Sequence, residues 1–287
     1  MPDSVPKPIS EWLRQQRRPA VARVTRLGGS RGSVVSRLDL HDGSRLLHKC
    51  YRADAAEAVA AEARGLEDLA RTGPVAVPAV LYQYGDSLLL EYIDGAAPAD
   101  DFWARLGEGL AALHLKPKPA FGYGIDSFCG GTRQPNMKLS DGYRFFAERR
   151  LLHGAQLCFG RRLLSRDEVQ QLESIAARLE QWLPQDDPRL LHGDLWSGNV
   201  LAGARGQPVL IDPAVYWGWA ETDLAMTRLF GGFDPAFYEA YQGVRPLLPG
   251  WEQRAELYNL WHLLNHLYLF GGGYKAAVRD LCRRYGR

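Results

Sequence analysis

Residues 190–201, LLHGDLWSGNVL, place His192, Asp194 and Asn199 on one short segment broken by two glycines and bounded by apolar residues. An Asp in a loop is most often a turn residue. A second stretch changes the reading: PVLIDP, residues 208–213, carries Asp212 at the end of an apolar, strand-like run. A hairpin over residues 200–211, turning through GARGQ, would return Asp212 to the side of Asn199. Three oxygen-bearing side chains then converge, which is the set that phosphoryl transfer from ATP requires. Asp194 would orient and deprotonate a hydroxyl, while Asn199 and Asp212 would hold Mg²⁺ across the phosphates. Asn is a hard, neutral oxygen ligand that suits Mg²⁺, and no Cys or His cluster at ligand spacing in the sequence points to zinc.

That chemistry predicts two further residues. A lysine should sit on a strand to touch the phosphates, and a glutamate on the next helix should pair with it. Lys49, in RLLHKCY, is the only lysine between Lys7 and Lys116, and Glu62 lies midway along an Ala-rich segment within reach. Taken singly, each has a plainer reading, a snorkelling strand lysine and an exposed helix residue. The glycine stretch Gly28-Gly29-Ser30-Arg31-Gly32-Ser33 departs from GxGxxG spacing and is first of all a turn. Its backbone amides, Gly29 among them, and the hydroxyls of Ser30 or Ser33 are candidate phosphate contacts.

The rest of the chain organises around these motifs. Residues 20–52 alternate apolar and polar positions with breaks at 28–32 and at Asp42-Gly43, the pattern of short antiparallel strands. ADAAEAVAAEARGLEDLARTG then reads as one helix of about 19 residues stopped by Gly73-Pro74, and residues 75–95 return to strand character around a Tyr84-Gly85-Asp86 turn. After Gly95, five segments carry apolar residues at spacings of three and four: 100–116, 141–160, 165–183, 234–244 and 251–270. The expected fold is therefore α+β and bilobal, with residues 1–95 forming a small antiparallel sheet lobe with one helix and residues 96–287 a larger, mainly helical lobe. Residues 117–137, rich in Gly, Pro and polar types, form a loop long enough to imply function.

Composition sets the outer limits. A chain of 287 residues, 46% hydrophobic, can bury a large core. Thirty-five basic against 33 acidic residues give a net charge of +2, so nothing in the balance argues for a nucleic-acid partner, and the Arg clusters at 14–18 and 279–287 read as solvated faces. The four cysteines lack CxxC spacing and no apolar leader opens the chain, which points to free thiols in a cytoplasmic protein. No apolar run reaches the ~20 residues of a membrane span. Whether the chain is a monomer or a homodimer stays open.

HGDLWSGNVL, followed by PVLIDPAVYWGWAETDLAMTRLFGGF and LYNLWHLLNHLYLFGGGY, together with GGTRQPN at 130–136 and FFAERRL at 145–151, closely resembles the fructosamine kinase or ketosamine-3-kinase family, within the aminoglycoside phosphotransferase-like kinases. The resemblance runs over nearly the whole chain. It implies a protein-kinase-like fold, ATP and Mg²⁺ as cofactors, and phosphorylation of the 3-hydroxyl of ketosamines, free or on glycated proteins, with deglycation as the result. Carried onto these residues, it makes Asp194 the proton acceptor, Asn199 and Asp212 the metal ligands, and Lys49 with Glu62 the phosphate-anchoring pair. Adenine would lie against the backbone of Glu91, Tyr92 and Ile93. Trp196, beside the catalytic Asp, offers a flat face for the sugar or the lysine stem, with a packed core position as the alternative; Trp217 and Trp219 are further candidates for that wall.

Two departures and several histidines qualify the resemblance. The glycine stretch lacks the cysteine that some relatives carry there, and Asp212 is followed by Pro213-Ala214 with no Ala-Pro-Glu segment, so activation-loop switching is not expected. His192 is expected to brace the loop. His262 and His266, four apart, could form half a metal site, but the sequence supplies no other ligands, and core or acceptor-pocket positions are the plainer expectation. The rival functions are phosphorylation of an aminoglycoside, choline or sugar hydroxyl, and a nucleotide-binding pseudokinase.

Overall fold

A computed structural model describes residues 5–29, 32–51 and 55–286. Strands β1 (Val21–Gly29), β2 (Ser33–Leu40), β3 (Arg45–Tyr51), β4 (Val80–Tyr84) and β5 (Ser87–Glu91) form one antiparallel sheet in the order β1-β2-β3-β5-β4. The Asp42-Gly43 break is the β2–β3 turn. Gly43 sits at φ 83°, where a Cβ is unfavourable, and the Asp42 carboxylate accepts the Ser44 N–H at 2.9 Å. Period-two alternation splits the apolar side chains between the sheet's two faces. Leu89 joins Leu38, Leu40 and Leu46 on one face, whereas Leu88 and Leu90 pack with Val59, Ala63 and Leu66 of helix α2 (Ala56–Thr72) on the other.

The first face is closed by helix α1 (Lys7–Gln15), through Ile9 and Leu13. This helix is not among the expected elements, although Ile9, Trp12 and Leu13 have the right spacing. Helix α2 reaches further than its own sheet: Leu69 belongs to the large core of the helical region.

That region contains α3 (Phe102–His114), the hairpin β6 (Ser127–Cys129) and β7 (Thr132–Gln134), α4 (Gly142–Phe146), α5 (Leu152–Gly160) and α6 (Arg166–Ala176). It continues with β8 (Arg189–Leu191), β9 (Val200–Ala202), β10 (Pro208–Leu210), β11 (Tyr216–Gly218), α7 (Glu221–Leu229), α8 (Pro235–Val244), α9 (Trp251–Phe270) and α10 (Lys275–Tyr285). The expected helix over 141–160 is one helical run interrupted by a π turn at Ala147–Leu151. Helices α7 and α10 were not anticipated, so α9 is not the last helix. From Leu257 to Leu267 it is buried nearly all round because neighbours cover it on most sides. The terminal arginines of α10 do face solvent, each near a carboxylate: Arg279 pairs with Glu168, Arg283 with Asp280 and Arg284 with Glu256. The four cysteines are free thiols, and among the described residues no helix is long and apolar enough to cross a membrane.

His114, on α3, is fully buried with Nδ1 2.9 Å from the Tyr241 hydroxyl and Nε2 3.4 Å from Asp223. Burial pushes its pKa below the ordinary value; Asp223 pulls it back, and Arg245 and Arg189 add to the depression. The unfolded chain therefore binds this proton below pH ~6.5 while the folded protein does not, so stability falls as pH drops through that point. Urea unfolding between pH 7.5 and 5.5 should give a stability slope that exceeds that of His114→Gln by up to ~1.4 kcal/mol per pH unit. Equal slopes would show that His114 takes up its proton equally in both states.

Candidate active site

The hairpin foreseen after residue 199 is present. Val200 pairs with Leu210, and the Ile211 N–H donates to the Asn199 carbonyl at 3.0 Å, which fixes Asp212 one residue beyond. A second tie follows, from the Ala214 N–H to the His192 carbonyl at 2.8 Å. Gly193 makes this approach possible: its φ is 81°, and a Cβ there would stand 2.2 Å from the Ala214 carbonyl oxygen. Asp212 itself has φ 51°, a left-handed conformation that costs a non-glycine residue of order 1 kcal/mol or more.

Lys49 projects from β3, whose backbone is paired to β2 on one side and β5 on the other. Its Nζ lies 2.7 Å from Glu62 Oε2 on α2 and 2.9 Å from Asp212 Oδ1, and the Tyr51 hydroxyl donates to the same Glu62 oxygen. Burial favours the neutral amine, but the charges of Glu62 and Asp212 more than offset it and hold Lys49 above its ordinary pKa. The ammonium is thus a fixed positive charge in a nearly dry place.

Asn199 Nδ2 donates to the Asp194 carbonyl at 2.8 Å, which leaves its Oδ1 as the atom suited to a hard cation. Asp194 is pushed up to about 7 by burial and then by the charge of Asp212, against hydrogen bonds from Cys129 and Asn199. His192 braces the loop as expected. Its Nδ1 accepts the Asp194 N–H at 3.3 Å, so Nε2 carries the proton and donates to the Ile211 carbonyl at 3.0 Å.

Two cavities meet at Lys49, Glu62 and Asp212. One, of about 530 Å³, is largely apolar and runs past Val35, Leu47, Leu66 and Leu90 to Glu91, Tyr92 and Ile93. The other, of about 460 Å³, contains Asp194, Asn199 and Trp196, with Ser33, Phe128 and Arg133 opposite. Of the glycine-stretch candidates, Gly29 lines neither cavity, Ser30 lies outside the described residues, and Gly32 and Ser33 line the polar one.

The three tryptophans separate. Trp196 is 38% exposed and lines the polar cavity. Trp219 is a correction: at 3% exposure it packs among Phe121, Tyr143, Phe146 and Tyr258, and its Nε1 donates to the Asp186 carbonyl, so it is core and cannot form a substrate wall. Trp217 lines neither cavity; it is half-buried between Tyr123 and the Lys138 ammonium.

The sequence model of the family described as Fructosamine kinase matches residues 6–285. The chain belongs to that family. Among fructosamine kinase relatives, a probable ketoamine kinase of Synechocystis is 43% identical over 232 residues, covering 78% of this chain and 77% of that protein. The chloroplastic protein-ribulosamine 3-kinase of Arabidopsis thaliana is 34% identical over 98% of this chain and 88% of its own length. A crystal structure of a candidate fructosamine-3-kinase from Thermobifida fusca superimposes with a TM-score of 0.89 at 33% identity, covering 99% of this chain and 98% of that one. The gentamicin complex of an aminoglycoside phosphotransferase, at 16% identity over 98% and 94% of the two chains, shares the fold alone with a TM-score of 0.62. The fold is that of the protein-kinase-like phosphotransferases.

Two structural supports of this candidate site carry no signal in the sequence pattern. Arg150, placed by the π turn, is fully buried; it donates to the Pro135 carbonyl at 3.0 Å and to Asn136 Oδ1 at 2.7 Å and stacks on Tyr216, which anchors the 117–137 loop. Asp223, on α7, accepts the backbone N–H groups of His192 at 2.7 Å and Gly193 at 2.9 Å. Burial alone would raise its pKa, but His114, His192 and the Gly193 N–H outweigh that and hold it below the usual carboxylate range. Nothing local in ETDLAMTRL marks this aspartate as an anchor, because its partners lie about thirty residues upstream. Asp223→Asn turns one acceptor into a donor facing N–H groups and should cost ~1–3 kcal/mol in urea denaturation, the cost of a buried donor left unpaired. An unchanged midpoint would mean the loop is held by its other contacts.

Proposed function

We propose that the protein is an ATP-dependent kinase that phosphorylates the 3-hydroxyl of ketosamines, so that the amine is freed and glycation is reversed. That it is a phosphotransferase acting on a hydroxyl follows from its family. The observation that carries the finer reading is the meeting of an apolar cavity and a polar one at a single buried ammonium, Lys49. The apolar side suits an adenine read by the backbone of Glu91, Tyr92 and Ile93, and the polar side suits a hydroxylated acceptor. A division into lobes at Gly95 fits the same picture, since Gly95 and Ala96 line the apolar cavity where the sheet gives way to helices.

Within this reading, Lys49 holds the α- and β-phosphates and Glu62 holds Lys49. Asn199 and Asp212 offer the hard oxygen donors that fit Mg²⁺, which when bound would neutralise phosphate charge as it grows in the transition state. Asp194 takes the proton from the acceptor hydroxyl; a carboxylate raised towards neutrality is a better base than an ordinary one. Trp196 lays an apolar face beside it. On the acceptor side Glu62 faces Lys49, and Glu57 lies 3.2 Å from Arg133. The ketoamine kinase and ribulosamine 3-kinase relatives support the same acceptor class, with free ketosamines or glycated proteins as partners.

Steady-state kinetics test the assignment. Wild-type protein should turn over ribulosyl-lysine or fructosyl-lysine with MgATP and leave kanamycin untouched; turnover of kanamycin alone would overturn it. Asp194→Asn should keep its fold and its affinity for ATP while kcat falls at least ~10²-fold, the lower end of what a general base supplies. Trp196→Ala should raise KM for the acceptor by up to ~10-fold with KM for ATP little changed, because about 0.5–1.5 kcal/mol of aromatic contact is lost on one side only.

A further inference from the structure

We propose that Cys129, Asp194 and His262 form a Zn²⁺ site whose occupation switches the enzyme off. The sulfur, carboxylate oxygen and imidazole nitrogen of these residues all lie within 4.8 Å of one another. Around a tetrahedral zinc, with Zn–S about 2.3 Å and Zn–N or Zn–O about 2.0–2.2 Å, ligand atoms stand roughly 3.2–3.6 Å apart, so small side-chain rotations complete the set. The three come from separate parts of the chain: the end of β6, the catalytic loop, and α9. His262 had no partners visible in the sequence, and the fold supplies two.

A second observation points to a ligand here. His262 is 1% exposed, yet its Nδ1 has no hydrogen-bond partner among the described residues. An unpaired buried ring nitrogen is a costly arrangement, which a bound metal relieves when that nitrogen is its ligand. The frame is built to hold position: Asn265, one turn after His262, donates Nδ2 to the Cys129 carbonyl at 3.2 Å and so ties β6 to the same face of α9. Entry is from the polar cavity, which Asp194 lines.

The chemistry balances simply. The Cys129 thiol releases its proton to solvent as the Zn–S bond forms, the neutral imidazole and the carboxylate complete three ligands, and water takes the fourth position. Asp194 is then a zinc ligand and cannot accept a proton from a substrate hydroxyl. Cations sort by softness across a single aspartate: the thiolate and imidazole select zinc, and the oxygens of Asn199 and Asp212 select Mg²⁺.

The test uses the full chain with ZnCl₂ titrated at fixed excess Mg²⁺ and ATP, with product measured directly by chromatography, and with Co²⁺ as an optical probe of the same ligands. The expected result is one Zn²⁺ bound per chain, at least tenfold loss of turnover, and a thiolate-to-metal charge-transfer band with Co²⁺. Losing even an outer-shell partner of a metal typically costs 10–100-fold in affinity, and losing a ligand costs at least as much, so Cys129→Ser and His262→Gln should each raise the half-inhibiting Zn²⁺ concentration at least ~10-fold, and Cys129→Ser should abolish the band. A wild-type Co²⁺ spectrum without a thiolate band would overturn the proposal, and it needs no variant to fold and no kinase activity. Inhibition equal in both variants and relieved by excess Mg²⁺ would also overturn it, since zinc would then be acting at Asn199 and Asp212.

Discussion

One buried ammonium sets the terms for the rest of the structure. Lys49 is 7% exposed and shares its charge between Glu62 and Asp212, so β3, α2 and the loop after β10 must be in register together. Desolvating a cation is repaid only by well-placed partners, and removing one of them from a buried pair typically costs 3–5 kcal/mol. The surrounding elements meet that demand in different ways. The ladder from β2 and β5 holds the Lys49 backbone, and Val59, Ala63 and Leu66 seat α2 against the sheet. The carboxylate of Asp212 is about half exposed and therefore the adaptable member, with one oxygen on Lys49. A charge that must be solvated somewhere is solvated by protein at the point where the two cavities join.

The strain at Asp212 follows from the same demand. With its left-handed φ of 51° the residue turns its carboxylate onto Lys49, and the conformation persists because both flanks are pinned. Ile211 is tied to Asn199 and Ala214 to His192, so relaxing Asp212 would break two backbone hydrogen bonds to relieve one unfavourable dihedral. Gly193 is the complement in the facing loop, since any side chain there would collide with Ala214. Asp223 then holds the turn from behind. Few groups in the loop are left to move, which suits a base that must meet a hydroxyl at hydrogen-bonding distance.

Much of this was legible in the sequence because its signals are local. The Asp42-Gly43 turn, the Ala-rich run of α2 and the apolar pattern flanking GARGQ each state their own structure, and the last of them sufficed to bring Asp212 to Asn199. Lys49 and Glu62 could be paired because chemistry demanded a lysine and only one was available on a strand. What was not legible depends on distant partners. Trp219 reads like its neighbours in VYWGWAE, and only the aromatic rings converging from residues 121, 143, 146 and 258 make it core. Arg150 sits in a helical pattern that hides its π turn, and Cys129 is brought to His262 by the fold of the intervening chain. Helix α1 was missed for a different reason: nine residues give too few turns for periodicity to stand out beside the following strands.

The same contrast between fixed and open parts bears on how an acceptor is met. Trp196 is exposed, but its indole is not free to swing. It lies over Gly198, where a Cβ would come within 2.2 Å of the ring, and its edge meets Phe230 with ring centres 6.2 Å apart. Phe230 in turn packs on His266, whose Nδ1 is 2.8 Å from the His262 carbonyl and whose ring also touches Phe270 and Tyr274. A rigid aromatic face loses little conformational entropy when a ligand settles on it, so its contact area converts to affinity more fully than that of a mobile chain. Because an aromatic face reads shape and C–H surface with little regard to the particular hydroxyl pattern, it suits a family of related sugar-amines better than one member. Discrimination among ketoses would then fall to the polar groups that line the same cavity, where Glu57 is largely exposed and paired with Arg133, itself also held by Asp126, and can rearrange at little cost.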